Sequence, residues 1–378
     1  MRIAIRAARL FDGTRMHGPS TVTVEDGLIT TVGGDVAGDV LDLGDATLLP
    51  GLVDPHVHLV FDASPTAVPA LIESDDATVL DRMRVAARHA VHAGITTVRD
   101  LGDRDYLTLA LRTWPEGPEI IAAGPPITTP GGHCHFLGGT AAGPDALRAA
   151  VRERHERGCD LVKIMASGGR MTPGSPIHAS QYTADDLRIV VDEAHRLGLP
   201  VAAHAHGVGA IRDALDAGVD TIEHLTFVTE DGVDTDPALV KALAAAPVAL
   251  GILIGTVPGT PVPPAFQKQA AVIQEAWRKL HELGATVVAG TDAGINPAKP
   301  HDALVYAPPE LVDLGWSPVE ALSAVTSVAA DVCRVGDRKG RIRPGADADL
   351  LAVAGDPSTD LARLRDVRAV FRAGVRIR

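Results

Sequence analysis

The sequence predicts an α/β fold: a (β/α)8 TIM-type barrel carrying a small β-sandwich domain formed by both chain ends. Three observations lead there. The chain has 378 residues, long for one ordinary domain but normal for such a barrel with a small extra domain. Its middle alternates short apolar runs with longer helical stretches, and both of its ends read as short strands joined by turns. With 46% apolar and 22% charged residues, disorder and coiled coil are excluded. No apolar run reaches the roughly 18–20 residues that a membrane-spanning helix needs.

Arg2 to Arg6 alternates like a strand, Asp12-Gly13 turns, and Ser20 to Val24 alternates again. Asp26-Gly27 is a hairpin signal before Leu28 to Val32. At the other end Leu350 to Val353, Val367 to Phe371 and Val375 to Ile377 read as strands. Chain termini often lie close together, so residues 1–50 plus 340–378 are expected to form the β-sandwich and residues 51–339 the barrel. Barrel strands are predicted at Leu52–Leu59, Thr97–Leu101, Glu119–Ala123, Leu161–Ala166, Val201–His206, Thr221–Leu225, Val248–Leu253 and Thr286–Thr291. Between them, helices are predicted at Thr78–Ala93, Pro144–Arg157, Thr183–Leu197, Gly209–Ala217, Pro237–Ala245 and Pro264–Leu283.

The balance of 35 basic against 48 acidic residues, with 3% aromatics, argues against a nucleic-acid surface. The expected partner is a small-molecule substrate, with neither nucleic acid nor membrane. Cys134, Cys159 and Cys333 form no CxxC pair, and the first residues lack the apolar centre of a secretory leader, so a cytoplasmic setting is expected. Phosphate-binding GxxxxGK[ST], dinucleotide GxGxxG in a strand–helix context and the serine elbow GxSxG are all missing. Against this plain background stand 15 histidines.

His56-Val-His58 sits in the first barrel strand, where residues two apart share a face and can aim at one point. Paired imidazoles suit zinc-class ions. The plainer alternative is two half-buried polar residues near a strand end. Lys163 interrupts the apolar run Leu161-Val-Lys-Ile-Met165, and lysine is rarely buried unpaired. It is a stem with its amine at the strand end, the partner of an acid, or an amine held neutral near metals. His204-Ala-His206 repeats the two-residue spacing on the fifth strand, and His224 closes the sixth. Asp292 follows the eighth in Gly290-Thr-Asp-Ala-Gly294, where it could equally cap a turn. These groups fall at the C-terminal ends of strands one, four, five, six and eight, the face on which such barrels carry active sites. Convergence from five strands is the signal, since each motif alone is weak.

This constellation resembles the amidohydrolase superfamily, through Leu49-Pro-Gly-Leu-Val-Asp-Pro-His-Val-His58 and Gly340-Arg-Ile-Arg-Pro-Gly-Ala-Asp-Ala-Asp-Leu350. Val162-Lys-Ile-Met-Ala-Ser-Gly-Gly169 and Gly131-Gly-His133 are similar to its imidazolonepropionase-like branch, that of the Xaa-Pro dipeptidases and arginine carboxypeptidases. The resemblance implies two divalent metal ions, usually zinc. His56, His58 and Asp292 would hold the more buried ion, His204 and His224 the more exposed one, and Lys163 would bridge them as a carboxylated lysine (carbamate). Asp292 would also bind the bridging water and act as base, then acid. His133 would contact the substrate carbonyl, where it can polarise a developing oxyanion. The implied reaction is hydrolysis of an amide bond in a small substrate such as a dipeptide or N-acyl amino acid. Superfamily members often form oligomers, so a homo-oligomer is compatible.

His206 stands where the branch often has tyrosine, either to contact substrate or to compete with His204 as ligand. Leu225-Thr-Phe227 follows His224, where relatives commonly carry a small glycine. Arg170 is a candidate partner for a substrate carboxylate through its planar fork, against a solvated loop arginine. Tyr182 is another candidate substrate contact. His178 and His301 lie in loops on the same face, His135 has a weaker case, and Asp100 reads as a residue that orients loops. The same site also admits a one-metal cyclic-amide hydrolase or heterocycle deaminase with unmodified Lys163, or a lactone or carbamate hydrolase. A metal-free binding scaffold is disfavoured, because every expected ligand position is filled.

Overall fold

Eight parallel strands run through the middle of the chain in a computed structural model that describes residues 2–34, 39–260 and 264–378. They are β1 (Leu52–Val57), β2 (Ile95–Asp100), β3 (Glu119–Ala122), β4 (Val162–Met165), β5 (Val201–Gly207), β6 (Thr221–Val228), β7 (Ala249–Leu253) and β8 (Val287–Gly290). Strands β1 to β3 form one sheet and β4 to β8 another, each hydrogen-bonded in chain order. The edges of the two sheets meet twice. Past β3, the Ile127 amide donates to the Lys163 carbonyl and the Met165 amide to the Ile127 carbonyl, both at 2.8 Å. On the other side, the Asp292 amide donates to the His56 carbonyl at 2.8 Å and the His58 amide to the Ala293 carbonyl at 3.0 Å.

Strands β1, β2 and β4 are buried at every position. Parallel strands are covered on both faces, so they read as apolar runs rather than alternation. Observed strands differ from the predicted ones by a few residues; β6 runs on to Val228 and β1 stops at Val57. The helices Pro144–Arg157 and Pro237–Ala245 have the predicted bounds. Thr183 and Asp186 cap the helix Ala184–Arg196 reciprocally, which fixes its start next to the β4 loop. Helices Ala67–Glu73, Leu107–Leu111, Ala307–Asp313, Pro318–Ala324 and Ser327–Val332 are additional to the predicted set. All are seven residues or fewer, too short for a clear helical period.

The chain ends build two further sheets, one of four strands and one of six. In the second, Leu350–Ala354 pairs antiparallel with Ala46–Pro50, which brings the two ends together. The buried faces share a core that includes Ile5, Leu10, Val24, Leu48, Leu350 and Phe371. Asp26 and Gly27 both have positive φ, +49° and +85°, as a two-residue hairpin turn of that kind requires. All three cysteines are buried and unpaired. Among the described residues no helix is long and apolar enough to cross a membrane.

A charged cluster joins the C-terminal segment to β3. Lys339 is buried, with its Nζ 2.6 Å from Asp349, 2.9 Å from Asp347 and 3.1 Å from Glu119, while Arg338 also bonds Glu119. Burial pushes the Glu119 carboxyl up, but Arg338 and Lys339 outweigh it and bring the pKa to about 2, below the ordinary 4.5. A carboxyl depressed on folding stabilises the chain above its unfolded pKa, and that contribution is lost as pH falls through the folded one. Glu119→Gln is therefore expected to lower stability near neutral pH. It should also flatten the acid dependence between pH 4.5 and about 2, as read by urea unfolding across that range.

Candidate metal centre

His56 and His58 leave β1 on one face, their rings 5.4 Å apart. Each has one nitrogen tied: His56 Nδ1 lies 2.9 Å from Glu223 Oε2, and His58 Nδ1 lies 2.9 Å from the Gly102 carbonyl. Their Nε2 atoms face Asp292, whose Oδ1 is 3.5 Å from His56 and 3.3 Å from His58. Burial opposes ionisation of Asp292, but the two histidines outweigh it and hold its carboxyl well below the usual carboxylate range. Asp292 has a φ of +60°, outside strand geometry, which turns its side chain inward just after Thr291 has bonded buried Asp54.

A second group forms beside the first. His204, His206 and His224 bring ligand atoms within 4.8 Å of one another, as do His56, His58 and Asp292. The rings of His56 and His224 are 5.3 Å apart and connect the two groups. A regular strand sends neighbours to opposite faces. Here Glu223 and His224 both reach His56, because His224 takes a φ of +76°. Leu225 and Phe227 follow with φ of +50° and +52°, and the Trp277 indole donates to the Leu225 carbonyl at 2.9 Å. That left-handed turn is the conformation for which glycine is the easy choice. Burial, with the neighbouring cations, pushes His56 down to about 4 and His206 to about 3, and His204 and His224 well below the ordinary value. Neutral imidazole is the form that ligates metal.

Lys163 is buried, and its Nζ has no hydrogen-bond partner among the described residues. Burial lowers its pKa to about 8, against the opposing pull of Glu223 and Asp292. His56 Nε2 is likewise buried and makes no hydrogen bond, although Asp292 faces it at 3.5 Å. Buried polar atoms without hydrogen bonds are uncommon, and these two lie beside one cluster of imidazoles and one of imidazoles with a carboxylate, donors whose chemistry fits divalent metal.

Glu223 and Arg99 are site residues that the sequence reading passed over. Glu223 bonds Arg99 at 2.8 Å and Thr221 at 2.8 Å besides His56, and Arg99 also donates to the Pro55 carbonyl at 2.6 Å. Burial raises the Glu223 pKa, but Arg99 and His56 drive it far below the usual range. Gly251 leaves room for this carboxylate, since a Cβ there would lie 2.2 Å from Glu223 Oε2. The signal was present: an acid inside Thr221-Ile-Glu223, on a buried strand, requires a partner as much as Lys163 does.

Among the other candidates, His133 is buried with its ring 4.7 Å from His204, and its Nδ1 has no partner. Gln181 accepts from its amide at 2.6 Å, and a Cβ on Gly169 would lie 2.3 Å from its Nε2. Arg170 is exposed at the edge, near enough for its charge to depress His206. Tyr182 is a correction: its buried hydroxyl donates to the Ala141 carbonyl at 2.7 Å, which makes it an anchor for that loop. His301 Nε2 lies 2.9 Å from the Phe61 carbonyl, His135 is exposed, and His178 is half-buried. Asp100 accepts from the amides of Leu59 and Gly102 and so orients both loops, as expected. A cavity of about 550 Å³ lies at the opposite strand ends, lined by Ile120, Leu161 and Pro200 together with Arg99, Glu119 and Arg338, and by none of the histidines above.

Residues 47–377 match the model of the amidohydrolase family. The chain belongs to that family. It is a hydrolase acting on C–N bonds. It is 26% identical over 366 residues to the ochratoxinase of Aspergillus niger, covering 85% of this chain and 73% of that one. With the imidazolonepropionase of Deinococcus deserti it shares 27% identity over 405 residues, 98% of this chain and 95% of the other. The crystal structure of a Xaa-Pro dipeptidase with bound methionine in its active site superposes with a TM-score of 0.84 at 28% identity, over 100% of this chain and 99% of that one. In an amidohydrolase built this way, Glu223→Gln should weaken retention of divalent metal by roughly 10–100-fold, the usual cost of losing an outer partner. Metal per chain after dialysis against a chelator series reads this, with circular dichroism to confirm folding.

Proposed function

We propose that the eight strands close into one (β/α)8 barrel over residues 51–339, with residues 1–50 and 340–378 as a β-sandwich against it. We further infer that the barrel is a binuclear metal-dependent amidohydrolase for small substrates bearing a carboxylate, a dipeptide or an N-acyl amino acid. The observation that carries this is Lys163, a buried amine without a partner beside two ligand clusters. Similarity to a Xaa-Pro dipeptidase and to an ochratoxinase supports the amide class.

His56, His58 and Asp292 would hold one ion, with His204 and His224 at the other and Lys163 between them. Two divalent ions, with zinc expected, supply Lewis-acid polarisation of the scissile carbonyl and a more acidic water. With its pKa lowered to about 8, Lys163 keeps a share of free amine, the form that adds carbon dioxide. The neutral amine would attack carbon dioxide, one C=O electron pair moving onto oxygen and the proton leaving nitrogen for solvent, so that a neutral amine becomes a carbamate anion. Asp292 stays ionised and takes the proton of the attacking water, then returns it to the leaving nitrogen. The unpaired nitrogen of His133 is free to face the substrate carbonyl oxygen. Arg170, at the exposed edge, would pair with the substrate carboxylate.

A zinc-loaded chain should carry two ions and hydrolyse members of a panel of dipeptides and N-acyl amino acids in preference to lactones. Asp292→Asn should lower kcat by roughly 10²–10⁴-fold. Full activity of Lys163→Ala with one ion or fewer would sink the binuclear reading. A native mass without the added carboxyl on Lys163, together with one ion on an active chain, would favour the single-ion alternative.

A further inference from the structure

His206 has no task in the two-ion arrangement. Its ring centroid lies 4.7 Å from that of His204 and 4.2 Å from that of His224. Its backbone is pinned, because the His206 amide donates to Ser167 Oγ at 3.0 Å. Its Nδ1 lies 2.8 Å from Thr226 Oγ1, and the Thr226 hydroxyl can donate to the His206 carbonyl at 3.5 Å. With that proton directed to the carbonyl, the hydroxyl accepts from Nδ1–H, and Nε2 keeps its lone pair. His56, His58 and His204 share this arrangement, one nitrogen tied to Glu223 or to the carbonyl of Gly102 or Gly168. Proteins orient ligating imidazoles in this way, through the nitrogen that does not bind.

We propose that His206 is a third imidazole donor, so that His204, His206 and His224 form a site that takes one zinc-class divalent cation without Lys163. Three neutral imidazoles with a fourth position open are a complete zinc site of the catalytic kind. The inference rests on the reading that these clusters hold divalent ions, and it goes beyond it by freeing one ion from the carbamate. The second ion would then stay when carbon dioxide is scarce.

The test uses the full chain with His56→Ala and His58→Ala, which removes the other cluster, and reads zinc per chain and zinc affinity. One ion is expected. It should persist on adding Lys163→Ala, and His206→Gln should weaken it by more than about 100-fold, beyond the cost of an outer partner. Loss of the ion with Lys163→Ala overturns the proposal, as does a smaller effect of His206→Gln. If the background fails to fold, the cobalt-loaded wild-type chain carries the question. His206→Gln must then change its visible absorption, and an unchanged spectrum overturns the proposal. A wild-type chain that takes up no divalent ion at all would instead defeat the underlying two-cluster reading.

Discussion

Glu223 lies between Arg99 and His56 with no access to solvent, and the geometry of the centre depends on those two contacts. A buried carboxylate is tolerable only when it is paired and hydrogen-bonded. Arg99 provides the charge, and His56 and Thr221 provide the remaining partners. In return the carboxylate fixes the ring of His56, so that Nε2 and not Nδ1 points to Asp292. Because Arg99 is on β2, His56 on β1 and Glu223 on β6, the two contacts of this one carboxylate tie three strands together. Removing the acid would strand a guanidinium in the core, which is why this contact is structural and chemical at once.

A second constraint is the departure from strand geometry at β6 and just beyond β8. His224 and Asp292 follow residues that already point inward, and only a left-handed backbone lets both neighbours serve one centre. Such residues cost about 1–3 kcal/mol each unless the surroundings hold them. Trp277 holds the first through the Leu225 carbonyl, and the Asp54–Thr291 bond secures the chain before the second. The left-handed backbone therefore sits where the candidate ligands do.

The parallel strands were legible because complete burial leaves long apolar runs, against which a polar residue stands out. Lys163 stood out in that way, while the two-residue spacing of the histidines and the place of Asp292 after the eighth strand pointed to residues that the structure groups together. Glu223 was not found, because attention went to His224 beside it. The alternation rule that would hide it on the opposite face fails at a φ of +76°. Tyr182 was misjudged for another reason. A tyrosine near a glycine-rich loop looks the same in sequence whether its hydroxyl meets a substrate or a carbonyl such as that of Ala141. The short helices after β8 lack the length that gives a helical period.

The buried nitrogens of His56, Lys163 and His133 that make no hydrogen bond also bear on how long the protein survives. A group that satisfied them only in the folded chain would stabilise folding by an amount that grows with the logarithm of its concentration. Where that group is scarce, the opened state is populated more often and is exposed to proteases. Shortage of the ligand would then reduce how much enzyme a cell retains as well as how fast each molecule works.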